Sequence, residues 1–236
     1  MTGTVSATFD RAREALEREG RRLDSITAAA VGVTSFDHDG FNAISRALSF
    51  VVMGGVLEDW SREISSAISA DVDNLGLQRR HLPITVIAAM EASTFRQCGN
   101  DNVSGLMARA RVISSATLHA SDARPVLQFG DLFSLADGST ISDKHFEALW
   151  MVLGLEGEWR NHPNDSLLLR EIRDKRNDVA HWKEDPVEIG RKKRASDLRA
   201  MVDRLIRLLD HIELSLLYWL DGARMTAGPA ATSASP

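Results

Sequence analysis

The chain has 236 residues (26.0 kDa), 44% hydrophobic and 26% charged, which is enough to bury a core in one domain and excludes overall disorder. Its 33 acidic against 28 basic side chains leave a net charge of −5, excluding a globally basic nucleic-acid coat protein while leaving room for a local basic site. One cysteine, Cys98, excludes a disulfide framework, a cysteine zinc site and an iron–sulfur centre.

The opening residues carry no basic start followed by an apolar run, so no targeting segment is expected. The longest apolar stretch, ALSFVVMGGVL at 47–57, is short of the roughly 20 residues that span a bilayer. The expectation is a cytoplasmic protein without membrane contact.

Few prolines, abundant Ala, Leu, Arg and Glu, and apolar residues at helical spacing predict an all-α chain with seven helical segments. The first, 8–30, places Phe9, Ala12, Leu16 and Leu23 on one face. SFDHDG at 35–40 reads as a polar turn and helix start, since it lacks the spacing of a calcium loop. The second helix covers 40–70, where Gly54-Gly55 marks a kink or a close helix contact. NLGLQRRHLP at 74–83 is a connection, followed by helices at 84–97 and 102–118. Residues 120–142 lack periodicity and read as a long loop. Ser142 is placed to cap a helix over 143–153 that stops near Gly154. A further helix spans 165–184, Pro186 and Gly190 punctuate a turn, and an amphipathic helix runs over 195–222. There Leu198, Val202, Leu205, Leu209, Ile212, Leu216 and Trp219 recur every three or four residues. This gives one domain over 1–222, with 74–138 an insertion of unassigned role and 223–236 a disordered tail.

Metal and nucleotide chemistry find little support. None of the seven histidines pairs as HxH or HExxH, so no metal ligands and no cofactor are assigned. No GxxxxGK[ST] or GxGxxG is present. Cys98 closes a helix in FRQCGN and reads as inert.

The segment EIRDKRNDVAHWKEDP at 171–186 is different. Leu168, Leu169, Ile172 and Val179 form an apolar stripe, and Arg176 occupies a stripe position. A guanidinium there costs free energy unless a partner or ligand compensates it. His181 lies about 140° around a straight helix from Arg176. Either the helix ends near His181, or a second copy of the motif comes from another subunit. Arg-x4-His spacing alone is no evidence, and Arg204/His211 is a comparable pair that reads as surface and structure.

RNDVAH at 176–181 resembles the Arg-polar-x3-His signature of the HEPN superfamily. The upstream VVMGGVLEDWSREI resembles the early helix of prokaryotic HEPN toxins, and FEALWMVLGL with LREIRDKRNDVAH resembles the RNase-toxin-like branch (RiboL-PSP-HEPN type and its relatives). The resemblance implies a HEPN-like helical bundle with extra helices and a long loop inserted before the motif helix. It also implies a metal-independent endoribonuclease, a toxin or anti-phage defence protein, with the motif at a homodimer interface. On that resemblance Arg176 and His181 are the catalytic pair. Asn177 hydrogen-bonds His181, Asp178 belongs to the motif, and Glu58 orients Arg176. An antitoxin or defence partner is implied too. Branches neutralised at a tyrosine two residues beyond the histidine are a poor match, because Lys183 stands there.

Lys183 and the run Arg191, Lys192, Lys193 and Arg194 are the candidate RNA-backbone contacts, and Trp182 is a candidate substrate or dimer contact. The competing expectation is a non-catalytic helical interaction module or nucleotide-binding regulator, in which Arg176 and His181 hold an interface.

Overall fold

The computed structural model describes residues 3–30, 40–124, 126, 135 and 141–227. Among them every regular element is helical: α1 (Thr4–Ala30), α2 (Phe41–Asn74), α3 (Ile84–Met90), α4 (Ala92–Cys98), α5 (Val103–Thr117), α6 (Asp143–Leu153), α7 (Asp165–Ala180), α8 (Pro186–Arg191) and α9 (Ala195–Ala227), with two short 3₁₀ turns. The all-α expectation holds. The SFDHDG turn before Gly40, most of the 120–142 segment and residues 228–236 lie outside the described residues.

Several boundaries differ from the sequence reading: α1 begins at Thr4 rather than 8 and α2 runs on to Asn74 rather than 70. The helix expected over 84–97 breaks at Glu91, whose ψ of 25° interrupts the α conformation. The turn marked by Pro186 and Gly190 is the helix α8. Its Asp185 carboxylate accepts from Val187 N–H at 2.9 Å and Pro186 stands at the first position, where a missing N–H costs nothing. The motif helix stops at Ala180 rather than continuing to 184. The last helix runs on through Ala227, so 223–227 belong to it and not to a disordered tail.

α1 lies antiparallel to both α2 and α9. The Asp71 carboxylate of α2 accepts from Thr4 and Val5 N–H, both at 2.9 Å, satisfying donors that the first turn of α1 leaves without intrahelical partners. Further along, Arg22 joins Glu19 to Ser49 Oγ, a polar link within the core wall. On its other side α1 is tied to α9 by Arg13, which pairs with Asp210 and Glu213.

α2 is the central element and packs on α1, α7, α8 and α9. It has the length and apolarity that a membrane span requires. In this fold much of that apolarity serves the core, where Phe50, Met53, Leu57, Trp60, Ile64 and Ile68 are buried. A column of aromatic rings, Phe9–Trp60–Phe146–Trp159, crosses that core with centroids 5.3–5.6 Å apart. It joins α1, α2, α6 and the connection that leads into α7.

α8 crosses α2 closely at Gly190. A Cβ there would stand 1.8 Å from the Ala43 carbonyl oxygen, so the crossing needs glycine. Arg46 Nε closes the same contact by donating to Gly190 O at 2.9 Å.

Candidate active site

α7 buries Leu168, Leu169, Ile172 and Val179, the stripe read from the sequence. Arg176 occupies its position in that stripe because α2 offers it a gap. A Cβ on Gly54 would lie 2.9 Å from Arg176 Cγ, so the missing side chain gives the arginine stem its path along α2. Gly55 has open space around it. The close contact expected at this glycine pair is therefore Gly54's, and it belongs to the motif arginine.

The guanidinium is compensated as the stripe argument demands. Arg176 Nη2 lies 2.9 Å from Glu58 Oε1 and 3.0 Å from Oε2, with the two side chains 23% and 18% exposed. At that burial, losing either partner strands a charge in a partly dry wall, which is costlier than losing a surface pair. Glu58 thus meets Arg176 as expected. Arg176 Nη1 also donates to Asn177 Oδ1 at 3.0 Å. The pair is neutral as a whole, so affinity for a phosphate here rests on the remaining N–H donors and on neighbouring cations.

His181 follows the last residue of α7 as its C-cap. The helix end, one of the two alternatives left by the 140° angle, is present: α7 stops at Ala180. The His181 imidazole is exposed, and no described residue hydrogen-bonds the ring. No hydrogen bond joins it to Arg176 either. Asn177 meets His181 through the backbone, its carbonyl accepting from His181 N–H at 3.1 Å, while its side-chain oxygen serves Arg176.

The helix ends in an uncommon way. Trp182 N–H donates to Val179 O at 3.3 Å and Lys183 N–H to Asp178 O at 2.9 Å, the paired bonds of a Schellman cap. That cap puts one residue in the left-handed region, a position usually taken by glycine. Here it is Trp182, with φ 52°, its side chain largely in solvent (75% exposed).

Asp178 is engaged sideways. Lys175 Nζ lies 3.1 Å from Asp178 Oδ2 and 3.1 Å from Glu184 Oε2, and Lys192 also pairs with Glu184. Hydrogen bonds to Asp178 and Glu184 hold the Lys175 ammonium above its ordinary pKa. Those from Lys192 and Lys175 hold the Glu184 carboxyl below its own. Neither Lys175 nor Glu184 was singled out from sequence, where i,i+3 spacing was the available signal for the Lys175–Asp178 half.

The basic run is less open than its sequence suggests. Arg191 pairs with Glu188 at 3.0 Å, Lys192 with Glu184, and Lys193 with Glu171 at 2.5 Å. Among the described residues, Lys183 and Arg194 are the two predicted RNA contacts whose side chains carry no ion pair.

The other candidates resolve structurally. Arg204 Nε pairs with Asp165 Oδ1 at 2.9 Å, Asp165 being 1% exposed, and Arg204 Nη2 contacts His162 Nδ1 at 3.0 Å. His211 bonds Glu158 O at 2.8 Å and stacks on Trp150. Both residues pin α9 to the connection before α7. The Cys98 thiol donates to Thr94 O within its own helix at 3.3 Å. Among the described residues no cluster of His, Cys, Asp and Glu is arranged to hold a metal. Comparison of the chain with protein-family models, curated proteins and solved structures finds no match.

Proposed function

We propose that this chain is a HEPN-type endoribonuclease of a bacterial toxin or anti-phage defence system, acting in the cytoplasm as a homodimer. The observation that carries the reading is the held arginine: Arg176, oriented by Glu58 and Asn177 on a wall made by Gly54, at the end of a helix that presents His181 to solvent.

In such a site the RNA 2′-hydroxyl attacks the adjacent phosphate, forming a 2′,3′-cyclic phosphate and releasing the 5′-oxygen of the next nucleotide. The proposed role of His181 is to move a proton on or off these oxygens as general base and general acid. Arg176 is assigned to the non-bridging phosphate oxygens, where donors fixed in advance stabilise developing charge. Lys183 and Arg194, the predicted contacts that carry no ion pair among the described residues, are assigned to the flanking backbone.

The dimer reading draws support from α2. Phe41, Ile44, Leu48 and Val52 are exposed and recur at helical spacing, leaving an apolar stripe about three turns long on a helix that also carries Glu58. The same stripe favours a second reading, a dimerisation module in which the Glu58–Arg176 pair is only structural.

Growth of bacteria carrying the inducible wild-type gene beside His181→Ala, at matched protein level and with total RNA examined, separates the two. The nuclease reading expects arrest and RNA fragmentation in wild type alone, and purified dimer that cleaves RNA in the presence of EDTA. Purified, folded dimer that leaves RNA intact overturns it in favour of the module, and full cleavage by both His181→Ala and Arg176→Ala overturns the assignment of this site to the chemistry.

A further inference from the structure

The segment between α2 and α6, to which the sequence assigned no role, contains a half-open cavity of about 330 Å³ between α3, α4 and α5. Its size is at the lower end of small-molecule sites. The walls are apolar: Ile84, Ile87, Phe95 and Val112 line it, and Ile84 and Phe95 remain more than two-fifths exposed beside it. Large side chains left half-covered around a concave surface are the usual mark of a ligand site.

The charges at its rim specify what kind of ligand. Glu91 is satisfied on both oxygens, by Arg79 Nη2 at 2.6 Å and by Thr94 Oγ1 at 3.2 Å. Arg124 is held by Asp122 through two bonds of 2.6 and 2.8 Å. Those bonds keep the Asp122 carboxyl down to about 2, so it remains ionised and keeps Arg124 neutralised at neutral pH. Arg111 is the remaining charged lining residue, and none of the described residues pairs with it. The cavity therefore presents an apolar interior with one uncompensated positive charge at its edge.

We infer that this cavity binds a small amphipathic monoanion, a medium-chain or aromatic carboxylate, with its apolar body among Ile84, Ile87, Phe95 and Val112 and its carboxylate on Arg111. A carboxylate matches the planar guanidinium fork. An ammonium at the same place meets an uncompensated like charge. The inference stands independently of the nuclease reading, because none of the motif residues lines the cavity.

The test is titration calorimetry of the full chain with decanoate, and with decyltrimethylammonium as the cationic control. Arg111→Gln removes the charge, and Ala88→Trp fills the cavity while leaving Arg111 in place. Tyr218→Ala, in a separate groove on α9, controls for apolar binding elsewhere. The expected result is saturable one-to-one binding of decanoate at or below ~1 mM, weakened about tenfold by Arg111→Gln, the loss of one charge-assisted contact. Ala88→Trp is expected to abolish binding, Tyr218→Ala to leave it unchanged, and the cation not to bind. Circular dichroism confirms that each variant is folded. No saturable decanoate binding, equal binding by the cation, or wild-type binding by both Arg111→Gln and Ala88→Trp overturns the inference.

Discussion

Replacing Trp182 separates its backbone from its ring. With φ at 52°, the residue sits where an L-side chain costs about 1–2 kcal/mol and glycine costs almost nothing. Glycine returns part of that gain through its greater freedom in the unfolded chain, which leaves about 1 kcal/mol in favour of Trp182→Gly over Trp182→Ala. Trp182→Asn belongs between them, because asparagine tolerates the left-handed region. This order reverses the one for a helix interior, where alanine exceeds glycine by a similar amount. The comparison is among the three variants, so the packing lost with the ring cancels. Urea unfolding followed by circular dichroism is the assay, and 1 kcal/mol corresponds to roughly 0.3 M in the midpoint for a chain of this size. If Trp182→Ala proves as stable as Trp182→Gly, the left-handed cap at the end of α7 is wrong. Because all three variants lack the ring, any change in RNA cleavage common to them belongs to the ring.

Gly190→Ala drives a Cβ to within 1.8 Å of the Ala43 carbonyl, backbone against backbone, and is expected to destabilise by about 3 kcal/mol or to part α8 from α2. Gly55→Ala, with open space around it in the same central helix, is expected to stabilise by about 0.5–1 kcal/mol; matched urea titrations read both, and equal effects would refute the crossing. Acid titration tests Asp122, whose carboxyl lies at about 2 in the folded chain against an ordinary 3.8. Its contribution is complete above about pH 4 and disappears as pH falls through 2, so the stability gap between wild type and Asp122→Asn should close over that window. A gap that does not change across it removes the Arg124 and Arg79 pairing from the account.

The helices were legible where one face stays apolar over several turns. Phe9, Leu16 and Leu23 on α1, the stripe of α7 and the repeat in α9 all point inward as their spacing predicts. Short elements escaped because punctuation is ambiguous: Asp185-Pro186 reads equally as a turn and as the N-cap and first residue of a helix, and α8 uses the second sense. The end of α7 was obscured for a related reason. A Schellman cap is announced by glycine, and here a tryptophan takes the position.

At the site, the cost of a guanidinium in an apolar stripe was visible from α7 alone. Its compensation was not, because Glu58 and Gly54 reach Arg176 from across more than a hundred residues. Only the resemblance pointed to Glu58. The basic run at 191–194 misled in the opposite direction. Glu171 and Glu184, which cover Lys193 and Lys192, sit on other segments, and linear charge counting has no means of pairing them.

The antiparallel pairing of α1 with α9 sets an order on synthesis. Residues 31–194 are made between these two helices, roughly 8–33 s of translation. Only toward the end of that interval, once residue 181 is made, do the motif residues of α2 and α7 coexist, and the wall built from Leu198, Val202, Leu205 and Leu209 still does not. A nascent chain at that stage carries Arg176 and His181 on a frame with one side open, and Arg13 has neither Asp210 nor Glu213 to hold. A fragment cut before Ala195 keeps Arg176 with Glu58, Asn177 and Gly54, and loses the core wall that α9 supplies to α1 and α2.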